Sequence, residues 1–227
     1  TIAVQLASEI GIERVRAIAK DFGIRSLIGT GPAVALGASE VNLLELTAAY
    51  AGFLSSGRSV SPIGWLDLKV RGDEEVLMSV DRSDGLQVID SHAGGALLYM
   101  LRSVVESGTG MRARIPGLDL AGKTGTSQSA KDAWFIGFSS NFVCGVWIGN
   151  DDNTSLEGVT GGGLPAQLWS DIMVKLTKTH VPKALPFMTP EEFEVYASYS
   201  VPEEKSPTGK STNRSILKAL LETLFGE

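Results

Sequence analysis

The chain opens on a helical repeat: in TIAVQLASEIG, Ile2, Leu6 and Ile10 recur at four-residue spacing. Ile12, Val15, Ile18, Ala19 and Phe22 continue along one face, and Gly23 supplies a stop. No capping residue precedes the first repeat, so the chain is expected to begin inside an element of something longer. IGTGPAVALGASE then reads as a Gly-rich connection. Asn42 offers a helix cap, with Glu45 placed to reach back in a capping box, ahead of LLELTAAYAGFLSSG ending at Gly57.

Over residues 63–89 the period changes to two. WLDLKV alternates, RGDEE makes a polar turn and VLMSV resumes, which predicts a hairpin. A helix follows from Ser91, closed by Gly108, and then three strand-like runs: LDLAGKTGT, AWFIGFSS and FVCGVWIGN. Asn141 between the last two suits a tight turn. Pro165 fits the first turn of a further helix, AQLWSDIMVKLTK. Helices, then an antiparallel sheet, then a covering helix make the fold class α+β. After about residue 181 the chain turns rich in Pro, Glu, Ser and Lys. The expected organisation is therefore a packed unit over 1–182 and a linker or tail over 183–227, whose ILKALLETLF end has helical spacing.

Composition narrows what such a fold does. With 227 residues, 43% of them hydrophobic and 20% charged, the chain is an ordinary globular protein with material for a full core. A net charge of -6 and the absence of any basic run argue against nucleic-acid binding. Cys144 is the single cysteine and sits in an apolar run, so it reads as a packing residue; His92 and His180 are the only histidines. No metal site or cofactor is implied by so few ligands. No stretch of about eighteen apolar residues is present to span a membrane.

The chemistry concentrates in LAGKTGTSQSAKDAWFIGF. Gly117 to Thr124 reads GLDLAGKT, which satisfies the phosphate-loop pattern G-x-x-x-x-G-K-[ST]. A phosphate loop must leave a strand and open a helix, yet Pro116 interrupts the upstream side and a strand pattern follows. Asp119 would also set an anion inside an anion cradle. The other reading is K-T-G, a signature of enzymes that acylate a serine. On a strand, the Lys123 ammonium and the Thr124 and Thr126 hydroxyls would bind a substrate carboxylate. Gly125 would leave room for the acyl group, and the Thr126 amide would stabilise the oxyanion. Ser127 either lines the same cleft or ends the strand.

The surroundings favour K-T-G. TIAVQLA, ALGASEVNLLELTAAYAGFLSSG with SPI, ESGTG, AGKTGTSQSAKDAWFIGFS, VWIGNDD and GGGLPAQLW form an ordered series. Across most of the chain, that series resembles the transpeptidase domain of class A, bifunctional penicillin-binding proteins. The resemblance implies the penicillin-recognising serine fold, a five-stranded antiparallel sheet between helices, here incomplete at the N-terminus. It implies D,D-transpeptidation: attack on the D-Ala-D-Ala of peptidoglycan stem peptides, an acyl-enzyme, and transfer to an amine, with β-lactams as substrate mimics. It also implies the periplasmic face of the bacterial inner membrane, reached through an anchor outside this chain. Catalysis would fall to Lys123 and Thr126, and substrate binding to Lys123, Thr124, Gly125, Thr126 and Ser127.

The family's S-x-x-K nucleophile and S-x-N motifs are expected ahead of Thr1, so the missing N-terminal part of its own domain is a required partner and the chain alone is expected to be inactive. Ser215-Ile216-Leu217-Lys218, Ser211-Thr212-Asn213 and Ser139-Ser140-Asn141 match by letter but follow K-T-G or sit in a hairpin turn, and are read as coincidence. Asp132 is expected to hold structure, and Gly161 to Gly163 to form a flexible loop near the sheet edge. Rival readings are a serine β-lactamase or D,D-carboxypeptidase, and a non-catalytic scaffold of the same fold.

Overall fold

The computed structural model describes residues 2–195 except 73, 82, 84, 181, 190, 193 and 194. The opening repeat forms two helices, α1 (Ile2–Ile10) and α2 (Ile12–Asp21), broken at Gly11 where φ is 97°. Gly23 ends α2 as expected: it takes φ +97°, and Ile24 N–H returns to the Ala19 carbonyl at 3.0 Å. The apolar stripe is less buried than its period suggests, with Ile2 46% and Ile18 43% exposed. α1 lies against α2 and the short turn Pro32–Leu36, so these helices cover each other more than the sheet.

α3 (Leu43–Leu54) begins at the predicted cap, Asn42, whose Oδ1 accepts from Leu44 N at 2.8 Å. The capping box is a correction. Glu45 does not return to Asn42; its carboxylate accepts from the Ser26 hydroxyl (2.8 Å) and the Ser26 and Arg25 amides. Those bonds, the Ser26 hydroxyl foremost, hold Glu45 below the ordinary carboxylate range. Ser26 Oγ in turn accepts from Asn42 N at 3.3 Å, so the loop before the helix supplies what the box would have. Asn42→Ala removes the cap and is expected to cost about 1 kcal/mol of stability, read as a lowered denaturation midpoint.

The hairpin is β1 (Asp67–Lys69) and β2 (Val76–Ser79), with Asp67 opposite Ser79 and Leu68 opposite Met78. Its polar pairs, Asp67 with Ser79 at 2.8 Å and Lys69 with Glu74 at 3.2 Å, keep their partners, while Leu68 and Met78 stay 50% and 57% exposed. α4 (Ser91–Glu106) is capped by Asp90, one residue before the predicted start, through bonds from His92 N and Ala93 N.

The main sheet has three strands in the order β3 (Ala121–Thr126), β4 (Asp132–Phe138) and β5 (Val143–Gly149), all antiparallel. Five strands were expected in this sheet. Among the described residues β1 and β2 pair only with each other, and three strands pair around Lys123. Asn141 lies in the β4–β5 turn, where Ser139 N donates to Phe142 O at 3.0 Å and Ser139 itself is fully buried. That accounts for the Ser139-Ser140-Asn141 match as a turn.

α5 (Leu164–Thr177) covers one face of the sheet, with Pro165 in its first turn. Trp169 is its anchor: fully buried, edge-on to Phe135 at 5.3 Å, and donating Nε1–H to the Cys144 carbonyl at 3.1 Å. Val105, Leu120, Val146 and Met173 complete that cluster, against which Cys144 packs. Burial pushes the Cys144 thiol up, as suits a packing residue. On the other face Phe138 and Ala121 meet Leu98 and Leu101 of α4. α3 closes over β5, where a side chain at Gly145 would stand 2.2 Å from Thr47 Oγ1.

Packing runs past residue 182, where the composition loosens. Leu185 and Met188 are buried, Lys183 N donates to Ser140 Oγ at 2.7 Å, and Arg102 stacks 4.9 Å over Phe187. Residues 196–227 lie outside the described residues, and with them the terminal helical pattern and the S-x-x-K and S-x-N matches at 215–218 and 211–213.

Candidate active site

Lys123 stands in the middle of β3, which among the described residues is an edge strand paired on one side with β4. The phosphate-loop spelling fails in structure as it does in context. The strand continues through Thr126 into a short turn and a second strand, so no helix N-terminus follows the lysine. Asp119 instead lies 3.9 Å from the Arg102 guanidinium.

Strand alternation sorts the motif onto two faces. Thr124 stands opposite Phe135, on the face that α5 covers, and Thr126 shares that face. Lys123 and Gly125 take the other. The Lys123 ammonium donates to the Thr124 carbonyl at 2.7 Å, and desolvation lowers its pKa from the usual lysine value. Lys123 is nonetheless an exposed residue, so its loss of water is partial.

Both threonine hydroxyls are engaged by loops the sequence places far away. Thr124 Oγ1 lies 2.7 Å from Thr109 Oγ1, in the turn after α4. Thr126 Oγ1 accepts from Gly161 N at 3.0 Å, in the loop before α5. Glycines make this approach possible. A β-carbon at Gly161 would sit 2.4 Å from the carbonyl oxygens of Gly125 and Trp134, and one at Gly162 would sit 2.1 Å from the Thr109 carbonyl. Gly161 to Gly163 were expected to be glycine for flexibility. At Gly161 and Gly162 the reason is space, and Gly161 is buried.

Ser127 ends the strand. Its Oγ accepts from Asp132 N at 2.8 Å and its amide donates to Asp132 O at 3.0 Å, closing the β3–β4 connection. Asp132 holds structure from its side, its Oδ1 accepting from Trp147 Nε1 at 3.0 Å. Between them Ser129 and Ala130 take positive φ (63° and 49°). Gly125 faces Trp134 directly across the ladder, where a β-carbon would come within 3.2 Å of Trp134 Cβ. Its missing side chain therefore also serves the sheet.

The structure thus brings Thr109, Thr124, Thr126 and Gly161 together on one face of β3 and places Lys123 on the opposite face of the same strand, where the motif predicts all three side chains in one cleft. Sequence reasoning missed Thr109. ESGTG stood in the ordered series, but nothing local marks a hydroxyl whose partner is fifteen residues on. Among the described residues no three His, Cys, Asp or Glu side chains gather as metal ligands, and no helix is long and apolar enough to cross a membrane.

Comparison with known proteins gives the fold a family. The family model for the penicillin binding protein transpeptidase domain matches residues 1–173. Penicillin-binding protein 1A of Aquifex aeolicus is 34% identical over 181 residues, covering 79% of this chain and 24% of the relative. Penicillin-binding protein 1A of Rickettsia typhi is 28% identical over 230 residues, covering 92% of this chain and 29% of its own. The chain thus spans roughly a quarter of the length of these relatives. Among solved structures, penicillin-binding protein 1A of Haemophilus influenzae superposes with a TM-score of 0.69 at 23% identity, over 81% of this chain and 33% of that one. PonA1 of Mycobacterium tuberculosis gives 0.67 at 22% identity, over 75% and 50%. The antiparallel sheet with its covering helices and these matches lead to one conclusion: the chain belongs to the penicillin binding protein transpeptidase family.

Proposed function

We propose that this chain supplies the K-T-G side of a serine D,D-transpeptidase that cross-links peptidoglycan stem peptides, and that the nucleophile and the S-x-N motif belong to polypeptide preceding Thr1. The observation that carries this reading is the strand β3, which holds an ammonium and two tethered hydroxyls within the four residues Lys123 to Thr126.

In this reading the terminal carboxylate of D-Ala-D-Ala accepts from the Thr124 and Thr126 hydroxyls on one face of β3, and the Lys123 ammonium on the other face supplies positive charge beside them. The serine oxygen bonds to the penultimate alanine's carbonyl carbon, and its proton passes to a base. The Thr126 amide donates to the oxyanion, and the peptide C–N bond breaks as the departing D-alanine nitrogen takes a proton. An amine of a neighbouring stem peptide then attacks the ester carbon and releases the serine. A β-lactam follows the first half of this path, but its leaving nitrogen stays tethered and the ester persists. Gly125 and Ser127 would frame the acyl group at the strand's end. The site would work on the periplasmic face of the inner membrane, held there by an anchor elsewhere in the longer protein.

Support for β-lactam recognition comes from a neighbour of the same fold, the PonA1 structure described as a complex with penicillin V. The test is labelling with a fluorescent penicillin. The longer protein that carries this chain is expected to become covalently labelled, and the purified 227-residue chain is not. A label on the isolated chain overturns the assignment of the nucleophile to the preceding segment, and an unlabelled longer protein overturns the transpeptidase reading. Amide product from an added amine, rather than free acid alone, separates transpeptidase from the β-lactamase and carboxypeptidase readings.

A further inference from the structure

We propose that Thr109 is a positioning residue for the carboxylate pocket: its hydroxyl donates to Thr124 Oγ1 and so leaves the Thr124 proton for the substrate. The proposal rests on the transpeptidase reading above and adds a residue that K-T-G does not contain.

Thr126 shows the principle. Its partner there, the Gly161 amide, can only donate, so Thr126 Oγ1 must accept, and its own proton is left unspent. Thr124 has the same arrangement with a hydroxyl in place of the amide, at 2.7 Å. A hydroxyl can serve as either donor or acceptor. When Thr109 donates, both threonines on this face of β3 present O–H groups outward, the pattern that suits an acceptor-only carboxylate.

Thr109 is held for that task. Gly110 N donates to the Val104 carbonyl at 2.8 Å, tying the turn to the last turn of α4. On the opposite side Gly162 lies so close that a β-carbon there would meet the Thr109 carbonyl at 2.1 Å. Gly161 and Gly162 are consecutive, so one loop fixes the Thr126 hydroxyl directly and the Thr109 backbone beside it. Both hydroxyls of β3 are therefore held in place from two elements, and the direction of the Thr109–Thr124 bond is what the proposal adds.

Thr109 is solvent-exposed, so its substitution by valine leaves the core untouched. The experiment compares wild type, Thr109→Val and Thr109→Ser in the longer protein. It uses two D-alanyl thioester substrates, one ending in a carboxylate and one in the matching carboxamide, and reads kcat/KM. Loss of the valine variant's hydroxyl is expected to lower kcat/KM by about tenfold for the carboxylate, with the carboxamide unchanged and the serine variant at the wild-type value. Equal loss on both substrates, or no loss on either, overturns the positioning role. Wild type that turns over neither substrate overturns the transpeptidase reading as well, a result distinct from the first two.

Discussion

Lys123→Ala in the longer protein is expected to lower the rate of acylation by penicillin by about 10²–10³-fold, the cost of removing one preorganised electrostatic contact. The melting temperature should hold, because the β3–β4 ladder is backbone and the lysine's own hydrogen bond is to a strand carbonyl that remains in place. The sign of the pH dependence also follows. In the proposed reading carboxylate binding needs the ammonium, so it is present below the Lys123 pKa and lost as pH rises through it. Desolvation lowers that pKa, so the alkaline fall in acylation should begin below the ordinary lysine range and vanish in the alanine variant. A variant with wild-type acylation and an unchanged alkaline limb would remove Lys123 from the site.

Gly161→Ala should have the largest effect on the fold. The three nearest atoms to its new β-carbon would be backbone: the Gly125 and Trp134 carbonyl oxygens at 2.4 Å and the Gly125 nitrogen at 2.8 Å. None can rotate away. The loop must lift from β3, which breaks the Gly161 N–H bond to Thr126 and releases that hydroxyl. The expected cost is about 3 kcal/mol, measured as a shifted urea midpoint of the chain, and acylation of the longer protein should fall with it. Gly31→Ala is the control. With φ at -87° and nothing within 4 Å of the new carbon, it should stay within about 0.5 kcal/mol of wild type. Equal stability of the two variants would refute the close seating of the loop on β3.

Much of the architecture could be read from local pattern, because much of it is built locally. A period of two marks β1 and β2, Gly23 stops α2 through its own φ, and Asn42 caps α3 through amides two and three residues on. Glu45 shows where local rules stop. Its spacing from Asn42 fits a capping box, but Ser26 and Arg25, brought in by the preceding loop, offer its carboxylate more donors. The α1–α2 stripe has a helical period without burial to match, since period specifies a face and says nothing of what covers it.

The site divides the same way. Lys123, Thr124, Gly125 and Thr126 stand together on one strand and can be recognised by their letters. The groups that meet them cannot. Thr109 and Gly161 reach the strand only once α4 and α5 have packed, and their small size or single hydroxyl carries no pattern in one dimension. Ser127 could be read either as cleft or as strand end, and its bonds with Asp132 tie it to the connection between strands.

The central claim is that Lys123 serves a serine that lies outside this chain. Mass-spectrometric mapping of the penicillin adduct on the longer protein tests it most directly. An adduct on a serine preceding Thr1 is the predicted result. An adduct on any residue of this chain, from Thr1 to Glu227, would contradict it.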